Sequence, residues 1–331
     1  MKGGVWPLMA WWALGTSAWA ASGAPPVAPA SMAQVAQAAQ AVPASTATEA
    51  TIESARETVR STTVWLARGV DSWFGDKPFE QGGQVSNGRI SLSFLERQGD
   101  ATDWTLRFNA RFRMPNVERA GYLFVGRDNT REVVTDKPGT VTRQQRLVAE
   151  TPADSQFFAG IGITALDSID FRLGFRGGLK PYAQARYRKP WQLGPRGLLE
   201  FRETIFWTID DHIGSTTALS YEHAISPVLA ARWVSAATIT QQVKKFEWSS
   251  NLGVYRLIGQ KRVLSGEALF SGLQGSGVGV SEYGLQARWE QPIFHDRLTG
   301  SVVIGHFWLR PTAADDRRKA WALGGTVAMG F

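Results

Sequence analysis

No cysteine occurs in the chain. Its absence excludes disulfides, thiolate metal sites and the lipid anchor that requires a Cys at the cleavage site. An exported protein without disulfides must draw its stability from a core or from a lipid environment. After residue 20 there is also no run of about eighteen apolar residues, so the rest of the chain has no transmembrane helix. If it enters a membrane, it does so as a closed barrel, the other form that satisfies every backbone polar group. No metal-ligand cluster, phosphate-cradling glycine loop or nucleotide fingerprint is present, and no cofactor is expected. The glycines at 272, 275, 277 and 279 read as a flexible loop.

What is present begins with an export signal. Lys2 precedes an apolar run from Val5 to Leu14, and Ala18-Trp19-Ala20 has the A-x-A form of a cleavage site. This predicts a signal peptide over 1–20, cut after Ala20. Residues 21–46 are rich in Ala, Pro, Ser and Gln and read as a periplasmic linker. Residues 47–86 form an N-terminal helical segment. Thr48 is placed to cap, and Ile52, Ala55, Val59, Leu66, Val70 and Trp73 make one apolar stripe. The helix either docks at the periplasmic mouth or on a periplasmic partner protein, or enters the lumen as a plug; docking is the preferred reading.

From about residue 87 the apolar period changes to 2 and stays so to Phe331. Trp104, Leu106, Phe108, Ala110, Phe112 and Met114 alternate with Thr105, Arg107, Asn109, Arg111 and Arg113. A one-residue slip would put three arginines into lipid, so the register is strongly specified. Similar alternation recurs in fourteen segments, most about nine to twelve residues long, the length of a tilted membrane-crossing strand. The mean hydropathy of −0.17 agrees, because only every second strand residue need be apolar. The fold expected over 87–331 is therefore all-β: an antiparallel transmembrane barrel of about 14 strands in the outer membrane, with both termini periplasmic. A soluble β-sandwich also alternates, but its strands are usually shorter. Trp104, Trp191, Trp207, Trp289, Trp308 and Trp321 lie near segment ends, where interfacial aromatic belts belong. Phe331 closes the last alternating segment, as an insertion signal read by the barrel-insertion machinery should. One residue breaks the pattern. Glu203 shares parity with Phe201 and Ile205, so a bulge, or a pairing with Arg202 that turns it inward, is expected there.

The stretches FRETIFWTIDDHIGSTTALSYEH (201–223) and SWFGDKPFEQGGQVSNGRISLSFLER (72–97) resemble a poorly characterised group of proteobacterial outer-membrane β-barrel proteins. That group has an N-terminal periplasmic segment and a C-terminal barrel. The resemblance covers about residues 70–331. It implies fold and location, and carries no activity or functional residues.

The polar parity predicts a basic lumen lined by Arg107, Arg111, Arg113, Arg172, Arg176, Arg186, Arg188, Arg202, Arg232 and Arg288. Fewer acids face them, namely Glu200, Glu267, Glu282 and Glu290. Two readings follow. The arginines line a passive or gated pore for small polar or anionic solutes, or they form ion-pair ladders that brace a filled lumen in a structural or docking barrel. The helix at 47–70 or the long connection 128–155 can occlude either form. A surface hydrolase of omptin-like type is a third, weaker reading, resting on Asp210-Asp211-His212 and Asp315-Asp316. No Ser–His hydrolase spacing is found around His212 or His223, and the chain is not expected to be an enzyme. Outer-membrane lipid and lipopolysaccharide are the expected partners, met by Lys244, Lys245, Arg317, Arg318 and Lys319. Nucleic acid is not expected.

Overall fold

A computed structural model describes residues 52–58, 61, 84–113, 121–151, 153–294 and 298–331. The predicted signal peptide, the linker and most of the 47–86 segment lie outside the described residues. The alternating segments form fourteen strands: β1 (Gln84–Arg97), β2 (Asp103–Arg113), β3 (Gly121–Asn129), β4 (Ser155–Leu166), β5 (Ile169–Arg176), β6 (Lys180–Leu193), β7 (Gly197–Thr208), β8 (His212–Ser226), β9 (Leu229–Thr240), β10 (Glu247–Ile258), β11 (Arg262–Leu273), β12 (Glu282–Ile293), β13 (Leu298–Leu309) and β14 (Arg318–Gly330). Each pairs antiparallel with its sequence neighbours, and β1 pairs with β14, so the sheet is a closed barrel as expected.

The start of β1 and the end of β14 share one rim, the terminal rim. Its described turns are short, at 167–168, 194–196, 227–228 and 259–261. The far rim carries longer connections at 130–154, 241–246, 274–281 and 310–317. Strand β6 continues through Pro190 to Leu193. Pro190 pairs with Glu200 on β7, while on its other side β5 ends opposite Tyr187. No strand there requires the N–H that proline lacks.

The outer wall is apolar. Leu92, Trp104, Phe157, Leu173, Ile205, Leu285, Ile304 and Trp321 are all at least two-fifths exposed, with Trp104 at 66%. Trp104, Trp207, Trp308 and Trp321 sit near the far rim, and Trp191 and Trp289 nearer the terminal rim, giving two belts. Phe331 closes the wall at the terminal rim. Its N–H donates to the Gly88 carbonyl at 3.1 Å, and its ring stacks on Phe108 with centroids 6.0 Å apart.

Glu203 departs from expectation. No register shift occurs on either side of it, since it pairs with Tyr187 and Thr217 in an unbroken ladder. Its carboxyl stays on the outer wall and accepts hydrogen bonds from the Ser215 and Thr217 hydroxyls, the latter at 2.7 Å. Two cross-strand hydroxyls thus do what a bulge or an inward turn toward Arg202 was expected to do.

The inner wall departs from a simple polar lining. Tyr122, Phe124, Phe158, Tyr182, Phe206 and Phe307 are buried, and each stands directly opposite a glycine on a neighbouring strand. The pairs are Tyr122 with Gly162, Phe124 with Gly160, Phe158 with Gly126, Tyr182 with Gly174, Phe206 with Gly214, and Phe307 with Gly284. The rings lie where a glycine Cβ would be: one on Gly162 would come within 2.2 Å of the Tyr122 ring. These pairs fix register and pack the wall at once.

Gly162→Ala is therefore expected to destabilise the barrel by about 1–3 kcal/mol, as overpacking does. Gly266→Ala, on the outer wall with nothing within 4 Å of a Cβ, should be neutral. Urea unfolding in detergent micelles, followed by heat-modifiable gel migration, checks both.

Candidate functional site

The connection from β3 to β4 does not project outward. It turns into the lumen and touches the inner wall around its circumference. Asn129 starts it, its side chain accepting from the Glu132 N–H at 3.2 Å to cap a six-residue helix, α1 (Thr130–Thr135). Val134 on α1 is 1% exposed and fills a socket made by Tyr122, Phe124, Phe158, Tyr182 and Phe206. Gln184 on β6 donates to the Val134 carbonyl at 2.8 Å. Asp136 follows in the left-handed conformation. It accepts from Arg186 at 3.2 Å and from Thr204 at 3.2 Å and forms an ion pair with Arg202 at 3.4 Å, on β6 and β7.

The chain then crosses to β9 and β10. A turn of 3-10 helix (Gly139–Val141) buries Val141 among Ala218, Val234 and Ala236, and the Thr140 carbonyl accepts from Asn251 at 3.0 Å. Lys137 and Arg131 both reach Glu247 at the head of β10, at 2.5 and 3.2 Å. Next, Gln144 donates to Ser93 on β1 at 2.7 Å. Leu147 packs with Leu269, Val303, Phe307 and Ala322. Arg146 pairs with Glu282 at 3.6 Å, and Arg97 joins Glu282 at 2.5 Å and the Leu147 carbonyl at 3.1 Å. Finally Glu150 meets Arg107 of β2 at 2.9 Å, and that arginine also pairs with Asp128 at 2.8 Å.

The arginines singled out from sequence serve different ends. Arg107, Arg186 and Arg202 hold the loop. Arg172 is tied into the wall. Its Nε donates to the Tyr122 hydroxyl at 2.9 Å and to Asp170 at 3.0 Å, and Asp170 also holds Arg186 at 3.0 Å. Arg111 lies over the Tyr122 ring, 3.3 Å from its centroid. Arg176 pairs with Asp210 at 3.2 Å near the far rim, and Arg232 with Glu222 at 3.0 Å. Toward the terminal rim Arg188 pairs with Glu200 while remaining 61% exposed, and Arg113 is exposed. Arg288 shares the inward parity of β12 opposite Ser265. Glu282 belongs to the loop clamp, and Glu267 is bound by Asn251, Ser265 and Gln286.

Sequence reasoning missed the main acidic partners, Asp136, Asp170, Glu150 and Glu247. One signal was available. Val133, Val134, Val141, Leu147 and Val148 make 130–154 too apolar for a solvated loop. Among the described residues no three acidic or histidine side chains converge as metal ligands. The omptin-like groups are not assembled. Asp210 is engaged by Arg176 and Lys180, while Asp315, held below the usual carboxylate range by hydrogen bonds from Thr312, lies on the β13–β14 connection, across the barrel from the β7–β8 turn. A cavity of about 600 Å³ opens between the β1–β2 turn and the end of the loop, beside Asp103, Arg143 and Glu150.

Glu132 makes loop docking pH-dependent. Burial pushes its carboxyl up to about 7, although the Arg143 N–H donates to it at 2.7 Å and Lys137 lies near; Glu150 and Asp128 add like charge. A raised carboxyl pKa favours the protonated form in the docked loop. The docked state is therefore relatively most stable near pH 4.5 and below, and it loses stability as pH rises from there to about 7, with the full cost above that. Trypsin cleavage after Arg143 and Arg146 of the loop is expected to accelerate between pH 5 and pH 8, and Glu132→Gln should flatten that dependence. A pH-independent ratio of wild-type to variant cleavage would refute this.

No family model matches the sequence, and no curated protein matches it. The resemblance of 72–97 and 201–223 to an outer-membrane group thus has no family model behind it. Solved structures align over most of the chain. The outer membrane channel DcaP of Acinetobacter baumannii aligns over 78% of this chain and 99% of its own, at 10% identity and a TM-score of 0.44. Pseudomonas aeruginosa OccK11 (OpdR) aligns over 76% and 96%, at 10% identity and 0.42. A KdgM porin in complex with disordered oligogalacturonate aligns over 73% and 99%, at 6% identity and 0.37.

Proposed function

We propose that this chain is an outer-membrane pore for small polar or anionic solutes, narrowed by the loop 130–154. The observation that carries the reading is the division of the lumen arginines. Arg107, Arg186 and Arg202 hold the loop, whereas Arg113 stands exposed at the terminal-rim end of β2 and Arg188, level with Arg202, stays exposed beside its partner Glu200. With the terminal rim periplasmic, an anion entering from that side meets positive charge before it meets the loop. The barrel region carries 31 Lys and Arg against 23 Asp and Glu, a net +8, in keeping with anion preference. Cleavage after Ala20 and recognition of Phe331 by the insertion machinery complete the proposed route to the outer membrane. There, exposed Lys244, Lys245, Arg318 and Lys319 are the cations offered to lipopolysaccharide phosphates. Arg317 is less available, because it donates to the Trp308 and Val280 carbonyls at 3.3 and 3.1 Å.

A docking barrel is the second reading, favoured by one contact. Within the short helix at 52–58, Arg56 donates to the Gly330 carbonyl at 3.3 Å, which places this turn beside the last residues of β14. A partner-recruiting helix would be anchored in this way.

Planar-bilayer recordings separate the two readings. The pore reading expects small, anion-preferring steps. Arg111→Gln with Arg113→Gln should lower the anion preference by at least a factor of two, and replacing 137–146 by a short Gly-Ser linker should raise conductance several-fold. No conductance from the loop-shortened protein would sink the pore and leave the docking barrel.

A further inference from the structure

The outer wall is not uniform, and we propose that its β7–β9 face is the contact surface for a second copy of this chain. On the side centred on β1, the outward residues between the aromatic belts are apolar and exposed, among them Leu92, Leu285, Val302, Ile304, Leu323 and Val327. Seven strands away in the ring of fourteen, the side centred on β8 presents Glu203 near the middle of β7, with Ser215 and Thr217 beside it on β8. Ser235 on β9 and Ser250 on β10 are paired across the next strands of the same face.

Lipid tails offer no hydrogen-bond partners, so a carboxyl and four hydroxyls gathered on one side, from mid-strand toward the far rim, form a surface suited to protein. The two hydroxyls that donate to Glu203 leave part of its acceptor capacity unused. The Ser250 oxygen accepts from the Trp233 indole N–H at 3.0 Å, which leaves its own proton to donate. On β9 the Ser235 hydroxyl makes a long 3.4 Å bond to the Ser249 carbonyl, so the acceptor on β7 and a donor on β9 sit on one face of one chain, which makes the face complementary to itself. A two-fold axis along the membrane normal through β8 sets β7 of each copy against β9 of the other. The outward residues there, Ser235 and Ala237, are small enough for the walls to approach, and Thr217 pairs with Ala237 on the same face. Such an isologous contact is the simplest closed symmetry.

The absence of cysteine makes the test direct. Leu219→Cys on β8, close to the proposed axis, is expected to give a cross-linked species of twice the chain mass when outer membranes are oxidised. Leu92→Cys on β1 should give none. Glu203→Leu, which makes this wall apolar, is expected to keep heat-modifiable migration while lowering the dimer fraction in native mass spectrometry from lipid nanodiscs by at least tenfold. Equal cross-linking at Leu92 and Leu219, a monomer in nanodiscs, cross-linking of Leu219 only to another protein, or a full dimer fraction in a folded Glu203→Leu variant would each overturn the proposal. Conductance per barrel is a separate readout, so failure of the pore reading leaves this test intact.

Discussion

A sheet of fourteen strands closed on itself encloses more space than its own side chains fill, and the chain meets that constraint with one of its own connections. The loop between β3 and β4 needs both apolar and ionic partners inside the barrel, and the inner wall supplies them in sequence around the ring. Val134, Val141 and Leu147 are the apolar anchors, each buried in a separate cluster. Asp136, Lys137, Arg146 and Glu150 are the ionic ones. Buried charge is costly when left unpaired, so the wall arginines and the loop acids require one another. The inner wall looks too basic when its strands are read alone because part of its counter-charge is carried by the loop.

The barrel was legible in the sequence because its signal is local. Strand alternation needs only neighbouring residues, and it located all fourteen strands. Faces were legible for the same reason, and so was the anomaly at Glu203. Its resolution was not, because Ser215 and Thr217 lie on the next strand and alternation does not say what faces a residue across a pair. The clamp was hidden more deeply. Asp136 and Arg186 are 50 positions apart, and Asn251 reaches the Thr140 carbonyl over 111. No period links such residues. The inward aromatics show the limit of polar-in, apolar-out reading. Phe124 and Phe158 line the lumen because a glycine opposite each gives the ring a flat seat and the loop brings apolar side chains to cover it.

The glycine–aromatic pairs and the loop form one system. With a larger residue in place of Gly160 or Gly162, the Phe124 and Tyr122 rings would have to leave their cross-strand seats, and the socket for Val134 would change shape. Tyr122 shows the linkage most directly. Its ring lies over Gly162 and beneath Arg111, its hydroxyl donates to Asp170 at 2.6 Å, and Asp170 holds Arg186, which in turn holds Asp136 of the loop. Strand register at β3–β4 therefore reaches the loop through four consecutive contacts.

This arrangement also bears on the order of assembly. The loop leaves β3 and returns at β4, yet its partners come also from β1, β2 and every strand from β6 to β14. Contacts of such long sequence separation form late, because each must first overcome loop-closure entropy. Arg97 on β1 and Glu282 on β12 are brought together only when β14 and β13 complete the ring between them. Arg146 of the loop then joins the same carboxylate. The loop's last latch is thus available only in a closed barrel, and once made it reinforces the β1–β14 seam from inside, while Phe331 covers the terminal-rim end of the same seam from outside through Gly88 and Phe108. Opening the seam and releasing the loop are coupled for that reason, whereas releasing the loop alone leaves every strand pair intact. A barrel built in this way can let its inner segment move without risking the wall that holds it.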